Sequence, residues 1–167
     1  MKSRILACQR LDNTVDSYLV LQHVFHFSMK HLHRWIQTLM ENLDEHLDEE
    51  TRSEVLENCG RACVPSSLLR KAKACKKGAE DIGDFLTKLG QTFNHLQVDG
   101  DKVHVVYEKC YCPLVKSFPE ELSPTFCNCS RGWVMELFES ALERPVGVEL
   151  EKSIRQGDDV CRFRVRL

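Results

Sequence analysis

The apolar positions of this chain change rhythm near its middle. In the first half they recur every three or four residues. In the second they mostly alternate. Val15, Tyr18, Leu21, Phe25, Leu32, Ile36, Leu39 and Leu43 step by three, four and seven, which predicts one face of a long helix from about residue 13 to 46. The charged run "DEHLDEE" breaks that face. "TRSE" at 51–54 then reads as a capping box, with Thr51 bonding forward and Glu54 reaching back. It would open a short helix carrying Val55, Cys59, Ala62 and Cys63 on one stripe, ended by Pro65. "SSLLRKAKACKKG" predicts another helix, capped by Ser66 or Ser67 and stopped at Gly78. Ile82, Phe85, Leu86, Leu89, Phe93 and Leu96 predict one more.

From residue 96 the period shortens to two. "LQVDGDKVHVVYEKCYC" predicts a hairpin about Asp99-Gly100, with Leu96, Val98, Val103, Val105 and Tyr107 buried. "PLVKSFPEELSPT" holds three prolines and reads as a surface loop. "CSRGWVMELFESALERP" predicts a helix with Trp133, Leu137, Phe138, Ala141 and Leu142 on its apolar face. "VGVELEKSI" and "VCRFRVRL" predict two closing strands about the turn "RQGDD". In the last strand Cys161, Phe163, Val165 and Leu167 face opposite to Arg162, Arg164 and Arg166. The arginine stripe is expected to pair with Glu149 and Glu151 across this hairpin. The expected fold class is α+β: an antiparallel sheet of about four strands covered by helices, with a helical N-terminal half. Residues 1–167 would form a single domain, with 1–95 the mostly helical part and 96–167 the hairpin-helix-hairpin part.

Composition refines this picture only a little. With 43% hydrophobic and 29% charged residues, the 167-residue chain is ordinary for a soluble globular protein. A net charge of −2 gives no reason to expect nucleic acid or an anionic membrane as partner. No run approaches the length of a spanning helix. "MKSRILACQRLDNT" is too short in apolar residues for a signal peptide, so the expected location is the cytoplasm, where thiols stay reduced.

The cysteines change the picture most. There are nine, an odd number, so disulfides cannot account for every one. Cys8, Cys75 and Cys161 stand alone and read as small buried hydrophobes. The others form three tight pairs: Cys59/Cys63, Cys110/Cys112 and Cys127/Cys129. At i and i+4 on a helix, the first pair shares a face. At i and i+2, the second pair would share one face at a strand end, and the third has the same spacing just before a helix. Such pairs can aim sulfurs at one point, as zinc or an iron–sulfur cluster requires of four thiolates. All six are candidate metal ligands. Cys129 would sit just before a helix, where unpaired N–H groups and the helix dipole favour the thiolate. Cys129 or Cys112 is therefore a candidate nucleophile, with His104 as the candidate base on the strand face it would share with Cys110 and Cys112. Tyr111 and Trp133 are candidate ligand-lining aromatics. His23, His26, His31 and His33 cluster on the first helix and read as a solvated or partner-facing stripe.

Two resemblances follow. "TFCNCSRGWVMELFESALERPVGVELEKSIRQGDDVCRFRVRL" resembles the end of the 4-vinyl-reductase type small-molecule-binding domain, matched at Gly132, Pro145, Val146, Gly157, Asp158, Cys161 and Phe163. "CGRAC" at 59–63, "CYCP" at 110–113 and "CNCSRGW" at 127–133 are similar to motifs of small prokaryotic proteins of the L-2-amino-thiazoline-4-carboxylic acid hydrolase-like group. Both resemblances imply an α+β fold with a ligand pocket between sheet and helices. In the first family, zinc-bearing members bind metal through the final Cys, here Cys161, and an upstream Cys and Glu. Those two positions fall at Ser153 and Leu150, so this chain departs from that ligand set. The expected function is a soluble small-molecule- or metal-binding module with a cysteine-lined pocket. The alternative is a thiol-dependent hydrolase of a small cyclic C–N substrate, thiazoline carboxylate-like. A homodimer through the long first helix is the expected assembly.

Overall fold

The computed structural model describes the backbone of residues 16–117 and 122–167, and side chains from residue 30 onward within that range. Cys8, His23, His26 and the apolar positions 15–25 of the first helix lie outside the described side chains. The element order is α1 (Asp16–His46), α2 (Glu49–Ala62), α3 (Ser66–Lys77), α4 (Ile82–Thr92), β1 (Leu96–Asp99), β2 (Lys102–Tyr107), α5 (Pro113–Ser117), α6 (Cys127–Leu142), β3 (Gly147–Lys152) and β4 (Cys161–Arg166). The fold is α+β, with a four-stranded antiparallel sheet and helices dominating the N-terminal half. The chain falls into two compact units, Met1–Ile36 and Gln37–Leu167, with the boundary inside α1.

In the larger unit the strand order is β1-β2-β4-β3, so the last strand is central. β4 reads as its alternation requires: Cys161, Phe163 and Val165 are buried while Arg162, Arg164 and Arg166 are not. Arg166 reaches Glu149 at 2.5 Å across the β3–β4 pair, the expected cross-hairpin bridge. β1 is an edge strand and buries little, so Val98 is exposed rather than in the core. α3, α4 and α6 contribute Ala72, Phe85, Leu89, Val134, Leu137 and Phe138 to the same core cluster as the inward residues of β2 and β4.

Several helix starts differ from the sequence reading. α2 begins at Glu49, capped by Asp48, whose carboxylate accepts the Thr51 N–H at 2.9 Å. The run Asp48-Glu49-Glu50-Thr51 therefore makes the cap, three residues before the expected box. The Cys59/Cys63 stripe of α2 faces solvent, because Leu56 and Gly60 form its buried side. α3 starts after Pro65 with no side-chain cap, so neither serine has that role. Ile82, at the first turn of α4, is exposed. Residues 113–117 are helical rather than loop, with Pro113 in the first position that tolerates it, and Val115 and Leu122 are buried. Among the described residues, no helix is long and apolar enough to cross a membrane.

Candidate functional site

The sequence places a glycine inside α2 and another inside α6, where glycine is costly unless close packing needs it. Packing does need both. A Cβ added to Gly60 would collide with the Cys129 carbonyl oxygen and lie 2.9 Å from the Trp133 nitrogen. A Cβ added to Gly132 would collide with the backbone of Glu57. The two helices thus cross backbone to backbone. Ion pairs flank the crossing: Arg131 with Glu57, and Arg61 with Glu139 and, at 3.5 Å, Glu136. Burial works to raise the Glu139 pKa, but the Arg61 hydrogen bond, the Val146 N–H and the Arg61 charge outweigh it and hold it below the ordinary value.

This crossing positions thiols. Cys59 precedes Gly60 in α2, Cys63 is the residue that caps the end of that helix, and Cys129 supplies the carbonyl against which Gly60 rests. Cys112 comes from the connector after β2. It is tied to the same region by a run of rings: Tyr111 to His95 at 5.0 Å, His95 to Phe93 at 5.4 Å, and Phe93 to Trp133 at 5.7 Å. Burial pushes the Cys129 thiol up to about 12, and the thiols of Cys63, Cys112, Cys59 and Cys127 push it the same way. Cys59 and Cys63 are exposed and Cys112 and Cys129 half-buried, so this group opens to solvent.

The other member of each Cys-x-Cys pair goes elsewhere. α6 begins at Cys127, so Cys127 and Cys129 are both helical and lie about 200° apart rather than on one face. Cys127 is buried towards the sheet, its Sγ 3.1 Å from the Oγ of the fully buried Ser153. Beside Ser153, the Ile154 N–H donates to Cys161 Sγ at 3.5 Å. Cys110 is likewise not on a strand, because β2 ends at Tyr107. It follows three residues after Tyr107, which pairs with Cys161. Burial raises the Cys127 pKa against the Ser153 hydrogen bond, with Cys161 and Cys110 adding to the rise and Arg155 opposing it. Burial also raises the Cys161 pKa, opposed by the Ile154 N–H and reinforced by Cys110 and Asp158.

The remaining candidates fall apart from the thiols. His104 lies on the face of β2 opposite Val103 and Val105, with its Nε2 3.4 Å from Glu151. Its recorded ion-pair partner is therefore a carboxylate on β3. Tyr111 is partly exposed, with Lys109 and Lys116 over its ring, and Trp133 packs against the core. An open hollow of about 550 Å³ along α2 is lined by Glu49, Glu50, Ser53, Glu54, Glu57 and Arg131, and by no cysteine. Among the described residues, no three His, Cys, Asp or Glu side chains already meet at metal-ligand spacing. Cys161, read from the sequence as a small buried hydrophobe, is buried in β4.

Fold and site together define a small α+β protein in which one helix, α6, carries Cys127 towards the sheet and Cys129 towards α2. The chain belongs to DUF6144, a family of unknown function, whose model matches residues 8–167. None of the curated proteins matches it.

Proposed function

We propose that this protein is a metal-binding module that uses cysteine thiolates at the crossing of α2 and α6. The observation that supports it is the pair of glycine contacts, which seat Gly60, the neighbour of Cys59, against the backbone of Cys129. Cys112 completes a four-sulfur set. Three of the thiols ride on two locked helices, and the fourth rides on a connector outside any helix or strand. Binding draws the connector inward and brings the sulfurs to coordination distance, about 2.3 Å from a zinc ion. An iron–sulfur cluster uses the same four-thiolate chemistry. The ion or cluster would deprotonate its ligands, reversing the high pKa of the metal-free Cys129.

The geometry favours coordination over nucleophilic catalysis. Cys129 lies two residues inside its helix and keeps its proton at neutral pH. His104 is engaged with Glu151. Elemental analysis and the visible spectrum of anaerobically purified protein test the proposal. Near-stoichiometric zinc, or iron with sulfide-to-iron absorption, supports it. Metal-free protein with all of these thiols freely titrating overturns it.

A homodimer is the proposed assembly. Leu32 and Trp35 of α1 are exposed, Trp35 at 63% of its surface. Light scattering that returns a monomer at all concentrations removes that assembly.

A further inference from the structure

Two helices that pack on α6 carry opposite charge. α3 holds Arg70, Lys71, Lys73, Lys76 and Lys77 and no acidic residue. α2 begins with Glu49 and Glu50 and adds Glu54 and Glu57. The helix dipole accounts only for the terminal members, Glu49 and Glu50 in the first turn of α2 and Lys76 and Lys77 in the last turn of α3. It gives no reason for Arg70, Lys73, Glu54 and Glu57, which lie farther in.

Each helix also sets its like charges at repelling distances. Arg70, Lys73 and Lys77 step by three and then four, and Glu50, Glu54 and Glu57 by four and then three. Like charges so spaced destabilise a helix. Among the described residues, no α3 cation has a recorded carboxylate partner and neither Glu50 nor Glu54 has a recorded cation, while Glu57 is paired with Arg131. Arg70, Lys73, Lys77, Glu50 and Glu54 are all exposed.

The two stripes match when the helices run in opposite directions. The steps from Arg70 to Lys73 to Lys77 equal those from Glu57 to Glu54 to Glu50. Each stripe rises about 10.5 Å along its helix. Lys73 then falls opposite Glu54 and Lys77 opposite Glu50, in the open hollow of about 550 Å³ that these glutamates line. Arg70 falls at the Glu57–Arg131 pair.

We infer that the α3 cations dock into the α2 hollow of a second copy of this chain, with the two helices antiparallel. A two-fold axis makes the contact reciprocal, each copy giving its α3 and receiving the other's. Nucleic acid and anionic lipid fit α3 less well, because the α2 carboxylates and a net charge of −2 repel them. The contact lies within the larger unit and draws neither on the apolar stripe of α1 nor on bound metal.

The test is sedimentation velocity on the full chain carrying Trp35→Ser, which takes the α1 stripe out of the readout. This parent is expected to self-associate at low salt, about tenfold or more weakly at high salt. Lys73→Glu/Lys77→Glu is expected to be monomeric, and so is Glu50→Lys/Glu54→Lys, because each opposes like charges. Mixed in equal amounts, the two variants are expected to pair, since each supplies the face that the other lacks. The four positions are exposed, and circular dichroism checks that both variants fold. The salt dependence of the parent needs no charge variant and keeps the test valid if one misfolds. Variants that associate as the parent does, or a mixture that stays monomeric, overturn the contact. A parent that is monomeric at low salt also overturns it, and if that parent binds anionic vesicles or nucleic acid, the polyanion is the occupant of α3.

Discussion

The two faces of α6 are built by opposite means. Towards the sheet it presents Val134, Leu137, Phe138 and Ala141, buried in the common core. Towards α2 it presents Gly132 and the carbonyl of Cys129, and the contact is backbone on backbone with ion pairs on its flanks. The apolar face gains stability from area removed from water. The glycine face buries little side chain, yet it sets where Cys59, Cys63 and Cys129 stand. One face therefore holds the fold and the other holds the candidate chemistry, and substitutions should separate the two.

The largest effect is expected on the apolar face. Phe138→Ala should cost about 3–5 kcal/mol in urea unfolding, because Phe138 is fully buried and leaves a cavity. A loss below about 1 kcal/mol would mean this face is not the main support. Gly60→Ala should cost less, about 1–3 kcal/mol, through overpacking against Cys129. It should nevertheless abolish binding at the thiols of the crossing, whereas the larger destabilisation by Phe138→Ala should leave binding intact at temperatures where the variant is folded. Equal binding in both variants would break the comparison.

A smaller effect separates the faces by pH. The folded Cys129 thiol holds its proton up to about 12, above its ordinary value near 9. In the metal-free protein its contribution to stability is complete below about pH 9. It is lost as pH rises towards 12, where the unfolded chain has already ionised. Denaturant midpoints measured across that window should fall, and Cys129→Ser should flatten the decline. A decline unchanged by the substitution would place its origin elsewhere. The smallest effect is a control outside both faces. Arg166→Ala removes an exposed pair with Glu149 and should shift stability by no more than about 0.5 kcal/mol.

The sequence was most informative where one period governs a whole element. The alternation of β4, the helical stepping from Ile82 to Phe93 and the hairpin at Asp99-Gly100 were all readable from residue type alone. The meaning of Cys-x-Cys was not, because i and i+2 share a face on a strand but oppose one another on a helix. Cys129 was expected just before α6, outside the helix. The chain instead enters that helix through the turn Pro124–Phe126, where Ser123 accepts the Thr125 N–H, and this carries Cys127 and Cys129 inside it. "SPTF", a serine followed by proline, was the available signal. Gly60 and Gly132 could have announced a close crossing, but nothing in one sequence pairs two such glycines. Pairing depends on tertiary contact, which also brings Cys161 beside Cys127 and turns His104 towards Glu151.

The central claim is that the crossing of α2 and α6 gathers thiols to bind metal. Its most direct test is the absorption spectrum of the reduced, metal-free protein on addition of Co²⁺. The account predicts intense thiolate-to-cobalt charge transfer with strong tetrahedral bands in the visible, weakened in Cys59→Ser and Cys129→Ser. Only the pale spectrum of hydrated cobalt, unchanged by the protein, would contradict it.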